Sequence, residues 1–201
     1  HDAIEQIHAS KDQFGRCELG RKKRVLVEFV SSNPTGPLHV GHGRHAAFGN
    51  VICNLLQTIG FDVSTEYYVN DAGRQMDILT VSIWFRYLDM LAIHLPFPAN
   101  AYRGQYVEML AEKIKRQYHT LFLTSSQDLV LNLPQDEAEG GDKEQYIDAL
   151  IVRAKQQLGE TYQTLLEAGL KEILDDIKND LTEFGVPFTC WFSERAFIKT
   201  G

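Results

Sequence analysis

Residues 24–44 read RVLVEFVSSNPTGPLHVGHGR, and this stretch decides the fold. Its first seven residues, 24–30, are rich in β-branched side chains around a single carboxylate, which predicts a buried parallel strand. Asn, Pro, Thr and Gly supply loop chemistry over residues 31–38. Apolar residues at helical spacing then predict a helix from about residue 41 to 59, with Gly60 as its C-terminal left-handed residue.

A second strand is predicted over residues 61–69, where apolar and polar residues alternate. Asp71 follows as the expected N-cap of a helix from about residue 74 to 94. A strand, a loop, a helix and a second strand form a βαβ unit, and such units build right-handed, doubly wound parallel sheets. The sequence therefore predicts an α/β fold with a parallel sheet and helices on its faces.

The rest of the chain is predicted to be mainly helical. Helical patterns cover about residues 104–119 and, as one helix or a helix pair, residues 146–184. The acidic, glycine-containing stretch 136–142 predicts an exposed loop. Residues 188–193 are typical of a returning strand with no closing element after it. Since the chain also begins with His1, we expect it to be a fragment of a longer protein.

The composition is that of a globular domain, with 201 residues of which 44% are hydrophobic and 23% charged. A net charge of −7 argues against this segment as the main docking face for nucleic acid. Three scattered cysteines fit neither a disulfide framework nor a four-ligand zinc site, and favour a reducing cytosol. No apolar run approaches the roughly 18 residues of a membrane span, so no membrane association is expected.

Candidate chemistry is concentrated where the first strand meets the first helix, since ligands of open parallel sheets bind beyond the carboxyl ends of the strands. Gly36, Gly41 and Gly43 let the backbone approach a ligand, and a helix start presents N–H groups that favour phosphate. His39 and His42 are three residues apart, so both imidazoles can point from one face towards that phosphate.

Two other interpretations of these histidines stay open. His39 and His42 can be surface residues of a first helical turn, and together with His45 they can form a metal site. No fourth ligand with matching spacing lies nearby, and the surrounding glycines suit phosphate better than zinc. We therefore predict no metal here.

Glu28 is the second candidate, because it lies towards the C-terminal end of an otherwise apolar strand. A carboxylate in such a strand is unfavourable unless it meets a cation, which a bound substrate can supply. The alternative is a glutamate on an edge strand that faces water or pairs with an internal partner such as Arg44.

Three ordered stretches resemble a known family. Residues 33–42 read NPTGPLHVGH, residues 67–75 read YYVNDAGRQ and residues 191–195 read WFSER. They are similar to the HIGH signature and two further landmarks of the class I aminoacyl-tRNA synthetases in their bacterial arginyl form. The resemblance implies an incomplete Rossmann-like sheet of the HIGH nucleotide-binding type.

The same resemblance divides the chain. Residues 1–23 would be a linker from a preceding domain, and residues 24–201 the first half of the class I catalytic domain. A mainly helical insertion is expected within that half, at about residues 96–145.

The resemblance also assigns residues to roles. His39 and His42 are expected to act catalytically, by stabilising the transition state of adenylate formation. The residues expected to bind ATP are His39, Gly41, His42 and Gly43. The residues expected to bind arginine are Glu28, Ser32, Asn33 and His39.

The implied substrates and partners are ATP with Mg²⁺, L-arginine and tRNA(Arg), with no tightly bound cofactor and a cytoplasmic location. Most tRNA contacts are expected in domains outside this segment, and the family's second signature, KMSKS, does not occur in the sequence. The segment alone is therefore expected to be inactive. The alternatives are another nucleotidyltransferase of the HIGH type and a non-catalytic binding module with a metal site built on His39, His42 and His45.

Overall fold

The structure is a computed structural model that describes residues 2–124 and 129–200. Within these residues the strands are β1 (Arg24–Glu28), β2 (Asp62–Val69) and β3 (Cys190–Ser193). The helices there are α1 (Asp2–Ser10), α2 (Val40–Thr58), α3 (Arg74–Asp89), α4 (Gln105–Tyr118), α5 (Lys143–Leu158), α6 (Thr161–Glu183) and α7 (Glu194–Thr200). Short 3₁₀ turns occupy Lys11–Gln13 and Glu137–Glu139.

The chain folds into two compact units. The first comprises residues up to 32, residues 38–70 and residues from 178 onward, and the second comprises residues 33–37 and the described part of 71–177. The loop between β1 and α2 is therefore divided, because its central residues belong to the second unit and its two ends to the first.

The first unit is built on a parallel sheet in the order β1-β2-β3. Glu28 of β1 lies opposite Glu66 of β2, which in turn lies opposite Cys190 of β3. Helix α2 contacts both β1 and β2. A parallel pair joined by a helix is the βαβ unit that the sequence predicts, so the α/β prediction is confirmed.

Strand β1 is less buried than its sequence predicts. It lies at an edge of the described sheet, and its residues alternate between exposed and half-buried. Leu26 is 57% exposed, and Glu28 also faces solvent. The prediction of a buried strand is wrong, because an apolar run does not reveal which elements cover its two faces. The edge-strand alternative for Glu28 describes its position better.

Aromatic rings form the core of the first unit. The Tyr67 side chain is fully buried and stacks on Trp191, with ring centroids 4.4 Å apart. Phe188 packs edge-on against Tyr67 at 5.5 Å and also contacts Phe29 at 4.6 Å. These contacts join residues next to β1 and β3 to the central strand, and they make Tyr67 a core residue.

Gly49 on α2 lets the ring of Phe29 approach the helix. A Cβ at Gly49 would overlap that ring, whereas a Cβ at Gly43 would meet nothing within 4 Å. We expect Gly49→Ala to lower the free energy of unfolding by about 1–2 kcal/mol, because the overpacking penalty exceeds the gain in helix propensity. Gly43→Ala on the same helix should raise it by up to about 1 kcal/mol. Urea unfolding of both variants measures the difference, and equal shifts would contradict the packing argument.

The second unit is organised around α3, which contacts α4 and α5. Most of α3 is buried, including Trp84, whose Nε1 donates to the carbonyl of Phe122 at 2.9 Å. The hydroxyl of Tyr87 donates to the carbonyl of His119 at 2.7 Å. Both aromatic residues thus bury their rings and satisfy their polar atoms, as buried Trp and Tyr require.

The N-cap and the end of α3 differ from the sequence prediction, whereas the start at Arg74 is confirmed. The N-cap is Gly73 with φ 91° and no side-chain cap, so the prediction of Asp71 as N-cap is wrong. Only glycine adopts that φ readily, and this fixes the N-cap two residues later. The helix ends at Asp89 rather than near residue 94, because Ala92 turns the chain at φ 62°.

Residues 143–183 form two helices, α5 and α6, where the sequence leaves one helix or two open. The acidic stretch 136–142 is exposed around a 3₁₀ turn, as predicted. Helix α7 follows β3, which corrects the expectation that no closing element is present. None of the helices in the described part of the chain is long and apolar enough to cross a bilayer.

Candidate active site

A tight turn follows β1 and carries the first candidate residues. Val30 and Ser31 both have positive φ, at 66° and 42°, which is unusual for side chains with a Cβ and above all for valine. The hydroxyl of Ser31 donates to Oε1 of Glu28 and accepts from the backbone N–H of Tyr68 at 3.1 Å. These two bonds tie the strained turn to β2 and orient the Glu28 carboxylate.

His39 and His42 cap the start of α2 for each other. Nδ1 of His39 accepts from the N–H of Gly41 at 3.1 Å, and Nδ1 of His42 accepts from the N–H of His39 at 3.2 Å. The two rings are stacked, with centroids 3.8 Å apart. A neutral imidazole that accepts at Nδ1 carries its proton on Nε2. Both residues therefore hold an Nε2–H donor at the positive end of the α2 dipole.

The pKa of His42 is lowered from its ordinary value, first by burial and then by the nearby positive charges that His39 and His45 would carry. A lowered pKa keeps the His42 imidazole neutral at neutral pH, as its role as a cap acceptor requires.

This pKa shift predicts how stability changes with pH. Unfolded His42 titrates near 6.5, above its folded pKa, so the unfolded chain binds more protons in the interval between them. The free energy of unfolding should therefore fall as the pH drops below about 6.5 and through the lowered pKa. Urea titrations from neutral to mildly acidic pH should show a smaller decline for His42→Asn than for the wild type. An identical decline in both would show that His42 does not contribute.

Gly41 and Gly43 differ in their surroundings. A Cβ at Gly41 would lie 2.9 Å from Cε1 and 3.1 Å from Nδ1 of His39, so glycine is needed there for the ring of His39 to fold over the helix start. Space is open around Gly43. Both sites lack side chains in the first turn of α2, a feature typical of phosphate-binding helix starts.

Asn33 lies in the second unit, where its Nδ2 donates to Oε1 of Gln75 at 2.8 Å. Two residues further on, the carbonyl of Thr35 accepts from the hydroxyl of Tyr106 at 2.7 Å. The ring of Tyr106 also lies against Gly36. Helix α3 therefore binds a side chain of the central part of the loop, and helix α4 binds its backbone.

Ser32 is half-buried in the first unit, and its carbonyl accepts from the hydroxyl of Tyr67 at 3.1 Å. Burial raises the pKa of Tyr67 to about 12, so this donor stays protonated. Within the first unit the structure thus brings His39 next to His42 and anchors Glu28 and Ser32 to the end of the sheet.

Ser31 and Tyr106 were not among the residues that the sequence assigns to the site, and Gln75 was named only as a residue that could face it. Ser31 is one of two adjacent serines, and nothing in the sequence favours it over Ser32. Gln75 ends a landmark stretch, which is the one signal that could have indicated it. Among residues 2–124 and 129–200, no group of three or more His, Cys, Asp and Glu residues is arranged to hold a metal ion.

A parallel sheet whose first strand leads through a glycine-containing loop into a histidine-capped helix defines a nucleotide-binding α/β domain. A family model confirms this class and narrows it. Residues 3–183 match the model described as "tRNA synthetases class I (R), catalytic domain", and the chain belongs to that family. The resemblance to arginyl class I synthetases in the sequence is thereby confirmed.

Curated relatives carry the name arginine–tRNA ligase. The chain is 53% identical to that of Thioalkalivibrio sulfidiphilus and 52% identical to that of Legionella pneumophila, covering 98% of this chain and 34% of each relative. A solved structure of a putative arginyl-tRNA synthetase from Campylobacter jejuni is similar with a TM-score of 0.70 and 26% identity, over 98% of this chain and 36% of that one. The chain spans about a third of the length of the curated relatives it matches.

Proposed function

We propose that this chain is the first part of the catalytic domain of an arginine–tRNA ligase, and that it holds the phosphates of ATP and the cationic groups of L-arginine. The observation that carries the proposal is the start of α2, where Nδ1 of His39 accepts from the N–H of Gly41, Nδ1 of His42 accepts from the N–H of His39, and both rings retain Nε2–H donors. The 53% identity to a ligase of that name supports arginine as the amino acid.

The proposed reaction has two steps. A carboxylate oxygen of arginine attacks the α-phosphorus of ATP, the bond to the bridging oxygen breaks, and pyrophosphate leaves with Mg²⁺. A ribose hydroxyl at the end of tRNA(Arg) then attacks the carbonyl carbon of the adenylate, loses its proton and displaces AMP. Charge builds on the oxygens of the α-phosphorus in the first step, where preorganised donors have their largest effect.

The residues have separate roles in this proposal. His39 and His42 stabilise the charge on the phosphate, and Gly41 and Gly43 keep the backbone N–H groups of α2 accessible to it. Glu28 attracts a cationic group of arginine, with the carboxylate oriented by Ser31. Ser32, Asn33 and His39 are the other residues that we propose bind arginine. The amino acid would then be transferred to tRNA(Arg) in the cytoplasm.

The test combines binding and turnover. Calorimetric titration of ATP into the 201-residue chain should show binding that His39→Ala with His42→Ala abolishes. The full-length ligase, assayed with tRNA(Arg), should attach arginine and reject lysine and citrulline. The chain alone should exchange pyrophosphate at less than about a tenth of the full-length rate, since catalysis by positioning needs the complete site.

Two results would overturn the proposal. ATP binding that survives the double histidine substitution would move the phosphate site away from α2. Charging of tRNA with an amino acid other than arginine would keep the nucleotidyltransferase chemistry and reject the substrate.

A further inference from the structure

We propose that Gln75 is a positioning residue for arginine binding, acting through the side chain of Asn33. The inference rests on the proposed function, since it concerns the same arginine pocket. Its starting point is the hydrogen bond from Nδ2 of Asn33 to Oε1 of Gln75, at 2.8 Å, between residues 42 positions apart in the sequence.

This bond fixes the rotation of the Asn33 carboxamide. An asparagine side chain can present either its oxygen or its NH₂ group to a ligand, and the two orientations are nearly equal in shape. In the structure Gln75 presents its acceptor Oε1 to Asn33, so that Nδ2 of Asn33 faces α3 and Oδ1 is on the opposite side of the carboxamide. A carbonyl oxygen held in that direction suits a positively charged ligand.

The first turn of α3 is held by side-chain contacts on both sides of Gln75, and this lets Gln75 act as a positioning residue. Arg74 binds Glu144 at 2.5 Å and Asp148 at 2.6 Å, both on α5. Asp77 accepts from Lys155 at 2.8 Å and from the hydroxyl of Tyr162 at 2.7 Å. These contacts hold the first turn of α3, which has no side-chain N-cap.

The Asp77 side of this clamp is the more deeply buried. Tyr162 is only 6% exposed, and its pKa is raised by burial and by the carboxylate of Asp77, so the hydroxyl remains a donor. Met76, between Gln75 and Asp77, is also buried, with 2% of its surface exposed. A rigid first turn gives Gln75 a fixed place from which to orient Asn33.

The loop that carries Asn33 has its own anchor. Tyr106 holds the carbonyl of Thr35 and packs against Gly36, which fixes the backbone of the loop. Gln75 instead bonds to the side chain of Asn33. The two anchors therefore have different effects, because Tyr106 sets the position of the loop and Gln75 sets the direction of one amide.

A purely structural interpretation of the pair makes a different prediction. Asn33 and Gln75 are both exposed, and a hydrogen bond between exposed amides contributes little to stability. If the bond has only a structural role, its loss should leave the affinity for arginine unchanged. If it orients Asn33 for the substrate, its loss should raise the KM for arginine and leave the KM for ATP and the unfolding midpoint almost unchanged.

The experiment is a double-substitution cycle in the full-length ligase. Gln75→Leu removes the acceptor and should raise the KM for arginine about tenfold, whereas Gln75→Glu keeps an acceptor and should stay within about twofold of the wild type. In an Asn33→Ala background, Gln75→Leu should add no further change, because its effect passes through Asn33. Gln163→Leu is the matched control, since Gln163 is exposed and bonds to Glu167 of its own helix.

Each outcome has a defined meaning. A Gln75→Leu effect that persists in the Asn33→Ala background, or that raises the KM for ATP equally, would overturn the positioning role. An unchanged KM for arginine in Gln75→Leu would do the same. The proposed function is judged separately, because it fails if the wild-type ligase does not charge arginine, and the arginine-binding role of Asn33 fails if Asn33→Ala binds arginine normally.

Discussion

His42→Asn should lower the kcat for adenylate formation in the full-length ligase by about 10²- to 10³-fold, the loss typical of removing one preorganised donor from a developing oxyanion. Nδ1 of His42 caps α2, which leaves Nε2–H as the donor for the proposed contact with phosphate, so the two ring nitrogens have separate roles. The oxygen of an asparagine reaches about as far as Nδ1 and can keep the cap. It does not reach the position of Nε2, so only the catalytic contact should be lost.

His42→Gln makes the complementary change. The amide of glutamine extends about as far as Nε2, so it should retain more of the rate, while the cap at the N–H of His39 is lost. Pyrophosphate exchange with arginine and tRNA(Arg) measures the rates, and urea unfolding measures the cap. His45→Asn is the control on the same helix, because His45 is exposed and takes no part in the cap. Equal losses of rate in the asparagine and glutamine variants would contradict the division of tasks.

The parts of the fold that local chemistry determines could be predicted from the sequence. The glycines and histidines around residue 41 indicated the start of α2 to within one residue, because helix starts depend on nearby backbone and side-chain groups. Gly60, with φ 92°, similarly marks the end of that helix region. The parallel pairing of β1 and β2 followed from the helix between them.

Features that depend on distant residues could not be predicted. The burial of β1 depends on what covers the sheet, so its apolar run indicated a buried strand where the structure has an edge strand. Asp71 has the chemistry of an N-cap, but the positive φ of Gly73 places the helix start beyond its reach. A local pattern indicated a possible cap and could not show which residue the backbone geometry selects.

The candidate site divides in the same way. His39 and His42 became candidates from their spacing together with the family resemblance, and the hydrogen bonds at the start of α2 are local interactions. The partners that hold the loop are remote, since Gln75 lies 42 positions from Asn33 and Tyr106 lies 71 positions from Thr35. No periodicity or motif links residues at such separations, so three-dimensional coordinates are needed to find them.

Glu28→Gln should raise the KM for arginine by about 10- to 100-fold in the full-length ligase, because a hydrogen-bonded charge pair becomes a neutral contact. The KM for ATP should change little. Glutamine retains the length of the side chain and can still accept from Ser31, so the turn after β1 should keep its structure. Glu183→Gln is the control, since it removes an exposed carboxylate elsewhere in the first unit.

The same variant can identify which cation Glu28 attracts. L-Citrulline keeps the ammonium group of arginine and lacks the guanidinium charge. If Glu28 contacts the ammonium group, Glu28→Gln should weaken competitive inhibition by citrulline as much as it weakens arginine binding. If it contacts the guanidinium group, citrulline should inhibit the wild type and the variant equally. An unchanged KM for arginine would exclude both contacts. Glu28 would then be a solvent-facing residue of an edge strand whose carboxylate accepts from Ser31.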